Sequence, residues 1–392
     1  MPKQSISILI EAAVLKWARV SIAEDLEEAA RRIKVKVQLL EDWEEGRVKP
    51  ELRLTQLEEL SRFYRRPIAT FLLPESPKEP SLPKDFRTLY GEEGQSLPRK
   101  VRLAIRDARW FQSMAAELAG ELGREIKLRI GEATRGANID ELALRERKRF
   151  GITANQQFQW KDKTEALKRW KSAVEGLGVL VFQFSLSSDQ EDMRIRGFSL
   201  ADELPFVVVL NSKDNEHPKI FSLFHEYAHL MLHVSGVCDM DWTNPMSIEI
   251  FCNRFAGAFL VPRDDLLVHH LIKNHGKSYE WSGEELRELS QEFKVSREVI
   301  LRRLLTLKLT TDDFYKQWRS KRKKPKKKTK GDEKSGPPPE RVSVAQHGLT
   351  LTSYILDAYR REIITSLDAA DYLRVRVGRI SEVRAEVGEL VS

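Results

Sequence analysis

The chain has 392 residues, enough for two or three domains with cores of their own, and a net charge of +7. No stretch approaches eighteen uninterrupted apolar residues, which excludes a helical membrane span. Two cysteines and an amino terminus without a basic-then-apolar leader fit a reducing cytoplasm.

Four short amphipathic helices are expected first, over residues 12–18, 21–33, 37–46 and 55–64. Only Lys34-Val35-Lys36 separates the second from the third, the spacing of a helix-turn-helix, and Ala29-Ala30 supplies small residues at the crossing. DNA binding does not follow from that pattern alone. Segment 1–75 holds thirteen basic and thirteen acidic residues, and its third helix carries Glu41, Asp42, Glu44 and Glu45. Gln38 is the side chain there suited to reading adenine, while Arg31, Arg32, Lys34 and Lys36 are the cations that would grip phosphates. A docking module for a protein partner fits the same charge balance.

Long helices are expected over residues 100–122 and 164–176, followed by strands over 178–184, 195–200 and 205–211, which make a small sheet. The next helix carries His225-Glu226-Tyr227-Ala228-His229. Residues i and i+4 share a helix face, so both imidazoles can address one ion, and Glu226 sits about 100° round the helix, beside the open position. There it would take a proton from water. Zinc in a peptidase needs a third protein ligand and one free position. His233 continues the face, but ligands at i, i+4 and i+8 would stretch over about 12 Å of helix, which suits packing better. Glu249 opens a second amphipathic helix twenty positions after His229 and completes a two-histidine, one-glutamate set. Asn253, one turn on, is placed to hold a histidine ligand by its outer N–H. Cys238 and Cys252 read as small buried hydrophobes. His217, His269, His270, His275 and Tyr279 are left open as groups to stabilise an oxyanion.

The run from Phe221 to His233, then Glu249 to Pro262 with Asn253-Arg254-Phe255-Ala256 and Leu260-Val261-Pro262, resembles the ImmA/IrrE-type metallopeptidases. So do Arg196-Gly197-Phe198 and the strand ending at Asn211. The similarity extends from about residue 83, at Asp85-Phe86-Arg87-Thr88, to about 315. It implies cytoplasmic zinc (Zn2+) endopeptidases that cut regulatory proteins to control genes of mobile elements, stress responses or toxin–antitoxin modules. It supports His225, His229 and Glu249 as ligands and Glu226 as base. Related zinc peptidases with a glutamate ligand often carry Asp where Asn253 stands. The first segment, with Trp43-Glu44-Glu45-Gly46 and Arg66-Pro67 to Phe71-Leu72-Leu73-Pro74, resembles XRE-type repressor domains over residues 8–75.

Residues 297–305 are expected as a helix capped by Ser296, with Arg302 and Arg303 exposed. Residues 316–330 then contain ten Lys/Arg and no acid, which leaves the rest of the chain slightly acidic. That run passes into Pro337-Pro338-Pro339 and reads as a linker. Helical patterns follow at 350–362, 368–374 and 379–391, a unit too small to bury much core alone. The expected organisation is a helix-turn-helix domain (1–78), a peptidase domain (79–315), a basic linker (316–342) and a C-terminal helical unit (343–392). The expected fold class is helix-rich α+β, with a small sheet packed on the HExxH helix of a zincin-like centre. The rival reading is a DNA-binding regulator or antitoxin whose peptidase fold mainly holds a partner.

Overall fold

The computed structural model describes residues 7–78, 97–134, 136–186, 195–234, 245–321 and 336–391. It is helix-rich with two small sheets, an α+β chain. The Asp85-Phe86-Arg87-Thr88 motif, Cys238 and most of the basic run lie outside the described residues, as does the side chain of His233. The chain divides into two compact units, residues 1–107 with 187–194, and residues 108–186 with 195–392.

In the first unit β1 (Ser7–Leu9) leads into α1 (Ala12–Val20), α2 (Leu26–Ile33) and α3 (Val37–Glu44). Then come β2 (Glu51–Arg53), α4 (Leu54–Tyr64) and α5 (Ile68–Phe71). The second helix starts later than its apolar pattern suggests, because Asp25 accepts the Glu28 N–H and caps it there. It ends at Lys34, whose left-handed backbone makes the tight turn into α3. Strands β1 and β2 pair antiparallel over three residues each, a ladder too short for period-two patterning to reveal. Leu15, Ala29, Leu40, Trp43, Leu57 and Tyr64 close one core between the helices. At its edge Arg19 bonds Glu44 at 2.7 and 2.9 Å, so the most buried acid of α3 serves structure.

Helix α6 (Arg99–Glu121) spans the division between the units. The second unit continues with α7 (Ile139–Phe150), α8 (Ala154–Gln159) and α9 (Lys163–Glu175). Three strands follow: β3 (Leu180–Phe184), β4 (Gly197–Leu200) and β5 (Val207–Asn211). The sheet order is β3-β5-β4, with β3 parallel and β4 antiparallel to β5. Two long helices, α10 (Glu216–Val234) and α11 (Pro245–Leu260), pack on each other, and α10 also packs on β4 and β5. Short helices α12 (Arg263–Val268) and α13 (His270–Asn274) precede α14 (Gly283–Glu292), α15 (Arg297–Thr306) and α16 (Asp312–Ser320). Ser296 caps α15 as expected. Arg303 is buried rather than exposed: its fork bonds the Val261 carbonyl at 2.9 Å and the Asp140 carboxylate.

The C-terminal pattern expected from residue 350 begins earlier, in α17 (Pro339–Arg360), with α18 (Ser366–Tyr372) and α19 (Ile380–Val391) after it. Helix α17 breaks at Gly348, whose φ of 75° is left-handed. A Cβ there would lie 2.3 Å from Glu175 Oε1 and 2.8 Å from the Val181 carbonyl oxygen, so only glycine fits. Two buried side chains of α9 serve the groups that the break frees. Lys171 donates to the Ala345 carbonyl at 3.2 Å, and Glu175 accepts the Thr350 N–H at 3.2 Å. The signs match the helix ends: a cation at the carbonyl end, a carboxylate at the N–H end. In the β3 ladder, residues 180, 182 and 184 face β5, so Val181 points its carbonyl away from the sheet, toward Gly348. The C-terminal helix thereby covers that side of the sheet.

Candidate metal centre

Helix α10 has one roll available to it. Leu223, Phe224, Tyr227, Ala228, Leu230 and Met231 are all buried in the main core. Phe224 stacks on Phe259 with centroids 4.1 Å apart, and Tyr227 donates its O–H to Glu146 at 2.7 Å. Those contacts turn His225 and His229 together toward α11. That helix is held at its C-terminal end by three buried polar side chains. Arg147 donates to the Phe259 carbonyl (2.8 Å), Gln157 to that of Leu260 (3.1 Å) and Arg303 to that of Val261 (2.9 Å). Each would otherwise be an orphan carbonyl at a buried helix end, costing on the order of 1–3 kcal/mol.

At the other end of α11, Glu249 meets both imidazoles. Its Oε2 lies 3.2 Å from His225 Nε2, its Oε1 lies 3.3 Å from His229 Nε2, and the two Nε2 atoms are 3.2 Å apart. The three residues form a close triangle, in which Glu249 turns one carboxylate oxygen to each imidazole. Ligand atoms on a tetrahedral zinc, at bonds of about 2.05 Å, sit about 3.3 Å apart, the spacing of each of these contacts. Among the described residues, these three form the one group of histidine, cysteine and carboxylate donors able to hold a metal. The donor set and its spacing fit zinc.

Burial opposes ionisation of Glu249, but hydrogen bonds from His225 and His229 outweigh it and hold the carboxyl well below the usual range. Burial likewise disfavours a charged His229, yet Cys252, Glu249 and Glu226 around it push its pKa well above the usual imidazole value. Burial raises the Cys252 thiol, which hydrogen-bonds His229 from one turn beyond Glu249. Asn253 lies beside it, half-buried. Glu226 is 8% exposed and is not one of the three grouped donors.

Residues 174–305 match the family model for the IrrE N-terminal-like domain, Peptidase_M78. This segment is of the ImmA/IrrE peptidase type. The match runs from the end of α9 through α15 and covers about a third of the chain, including every residue of the triangle. No curated protein and no solved structure gives a significant match. The ImmA/IrrE-type family is one of metallopeptidases.

The other residues singled out in the sequence fall elsewhere. His269, His270 and His275 each pair with a glutamate of α14: Glu292 at 2.7 Å, Glu288 at 3.2 Å and Glu285 at 2.7 Å. His275 also stacks on Trp281 at 3.5 Å. These histidines tie α14 to the segment after α11. His217 lies on α10 two turns before His225, and burial lowers its pKa. Tyr279 is 56% exposed. In the first unit Arg31 and Arg32 both reach Glu28, and Gln38 donates to Glu41 (3.0 Å) and Asp42 (3.3 Å). Lys34 and Lys36 are exposed at the turn between α2 and α3. The partner of His229 on α11, Cys252, was missed as such. Its spacing from Glu249 was the available signal, since i+3 shares a helix face.

Proposed function

We propose that the chain is a zinc-dependent endopeptidase that cleaves a regulatory protein, a repressor or antitoxin-like partner, to control gene expression. The observation that carries it is the donor triangle of His225, His229 and Glu249, inside a segment of metallopeptidase type. Zinc, when bound, supplies a Lewis acid that acidifies water and polarises the scissile carbonyl. Glu226 accepts the proton of that water at its carboxylate and hands it to the departing amine. Cys252 keeps His229 oriented.

The substrate approaches in an extended form. In the β4–β5 ladder Asn211 N–H bonds the Arg196 carbonyl, so residues 196, 198 and 200 face β5. Gly197 and Ser199 therefore turn their main-chain groups outward, where a peptide strand can add. Because β4 packs on α10, that peptide runs past Glu226.

The decisive measurement is metal content. Purified protein is expected to hold about one zinc per chain, and the His225→Ala/His229→Ala double variant none. Glu249→Ala should weaken zinc binding strongly, whereas Glu216→Ala, whose carboxylate pairs with Lys163 at 3.0 Å, should not. Equal mild effects at both glutamates would remove Glu249 from the ligand set.

The first unit is proposed to dock the regulatory partner, since Gln38, Arg31 and Arg32 are already bound to its own acids. Any DNA retardation should then weaken steeply with salt and require the cations of residues 316–330. Retardation specific to one sequence, and lost on Gln38→Ala, would instead favour a DNA-reading regulator.

A further inference from the structure

Gly197 opens β4, and its dihedral angles are ones that any residue could adopt, so nothing in the backbone demands glycine. Space does. A Cβ at this position would stand 3.3 Å from both Cγ and Oε1 of Glu226 and 2.8 Å from the Val209 carbonyl oxygen. Ordinary carbon contacts lie at about 3.5–4.0 Å, so a methyl group would press directly on the carboxylate. Glu226 is itself nearly buried, which leaves it little room to step aside. The bare Cα therefore serves as one wall of the carboxylate's seat. The same residue offers its main-chain N–H and carbonyl to the outer side of the strand.

We infer that Gly197 is a positioning residue for Glu226: its missing side chain lets the carboxylate rest against the strand along which the peptide is laid. This rests on the peptidase reading above. The carboxylate and the scissile bond are thus referred to one element, β4, and a shift of either is felt by the other. A displacement of about 1 Å in a reacting group can cost about 100-fold in rate, so a single methyl group is enough to matter.

The test combines Gly197→Ala, Glu226→Asp and the double variant, assayed as zinc holoenzymes on fluorescein-labelled casein. Gly197→Ala is expected to keep its zinc and to lower kcat by about 10- to 100-fold, with KM changed little. In the Glu226→Asp background, where the shortened side chain withdraws from the wall, the added methyl should cost much less. Equal factors in the two backgrounds, or a rise in KM alone, would mean that the methyl acts by spreading β4 from β5, and the inference fails. A second measurement needs neither substrate nor a change at Gly197. In protein labelled with 15N-glycine, the Gly197 amide signal should move on Glu226→Asp, while that of Gly283, which has open space around it, stays put. This arm decides the matter should the alanine variant not fold, and an unmoved Gly197 signal overturns the inference. Casein turnover that survives Glu226→Gln means that another group is the base, and sinks that assignment and this inference with it. A silent Gly197 beside an inactive Glu226→Gln sinks this inference alone.

Discussion

Glu226→Gln is expected to keep one zinc and an unchanged fold while losing turnover by about 100- to 10,000-fold. The amide matches the carboxylate in size, so the seat against β4 stays filled and the metal triangle, which Glu226 does not enter, is untouched. What is lost is the ability to accept a proton. Metal analysis and a turnover assay on the same sample check the two halves separately. If cleavage continues at more than a tenth of the wild-type rate with zinc bound, another group is the base. If the cellular effect of the protein persists in this variant, its peptidase fold works by holding a partner.

Glu175→Ala is expected to destabilise the second unit by about 3–5 kcal/mol, although it lies at the break in α17 and touches none of the metal donors. Removing the carboxylate leaves the Lys171 ammonium buried without its counter-charge and the Thr350 N–H without its acceptor. Lys171→Met/Glu175→Gln, which removes both charges but keeps a carbonyl for that N–H, should recover most of the loss. Urea unfolding followed by circular dichroism and tryptophan fluorescence reads both effects. A cost below about 1 kcal/mol for the single variant would mean that the clamp carries no weight.

The same pair sets a pH dependence. Burial raises the Glu175 carboxyl to about 7 and lowers the Lys171 ammonium to about 8. A raised carboxyl contributes stability that is full below its unfolded value and lost as pH climbs through about 7. A depressed ammonium contributes stability that is full above its unfolded value and lost as pH drops through about 8. Both contributions are at their smallest between those two values, so docking of α17 should be weakest near neutrality and firmer on either side.

The residues of the proposed site were legible in the sequence because helices broadcast their faces. His225, His229 and Glu226 follow from 3.6-residue periodicity, and Glu249 from a second amphipathic helix at a plausible return distance. The three core strands were also visible, as apolar β-branched runs bounded by turn residues, and the Ser296 cap by its position. What escaped depends on partners far along the chain. Arg303 looked solvated until the Val261 carbonyl and Asp140 were brought to it. Lys171 and Glu175 look like an ordinary i, i+4 surface pair, and only the break at Gly348 explains their burial. The β1–β2 ladder has too few residues to carry a pattern. Gly197 fell within a motif of the resemblance, but its reason is steric and needs the position of Glu226.

The sheet can grow in one direction only. With β3 sealed by α17, any added strand must join beside β4, which is four residues long. So short a rim is a poor template for fibril growth. It is also a weak grip: Gly197 and Ser199 between them offer only a few main-chain bonds to a visitor. A chain held there by its backbone alone would come and go quickly, whatever its sequence. On the proposed reading, choosing one protein among many would fall to side-chain pockets and to surfaces well away from the bond that is cut.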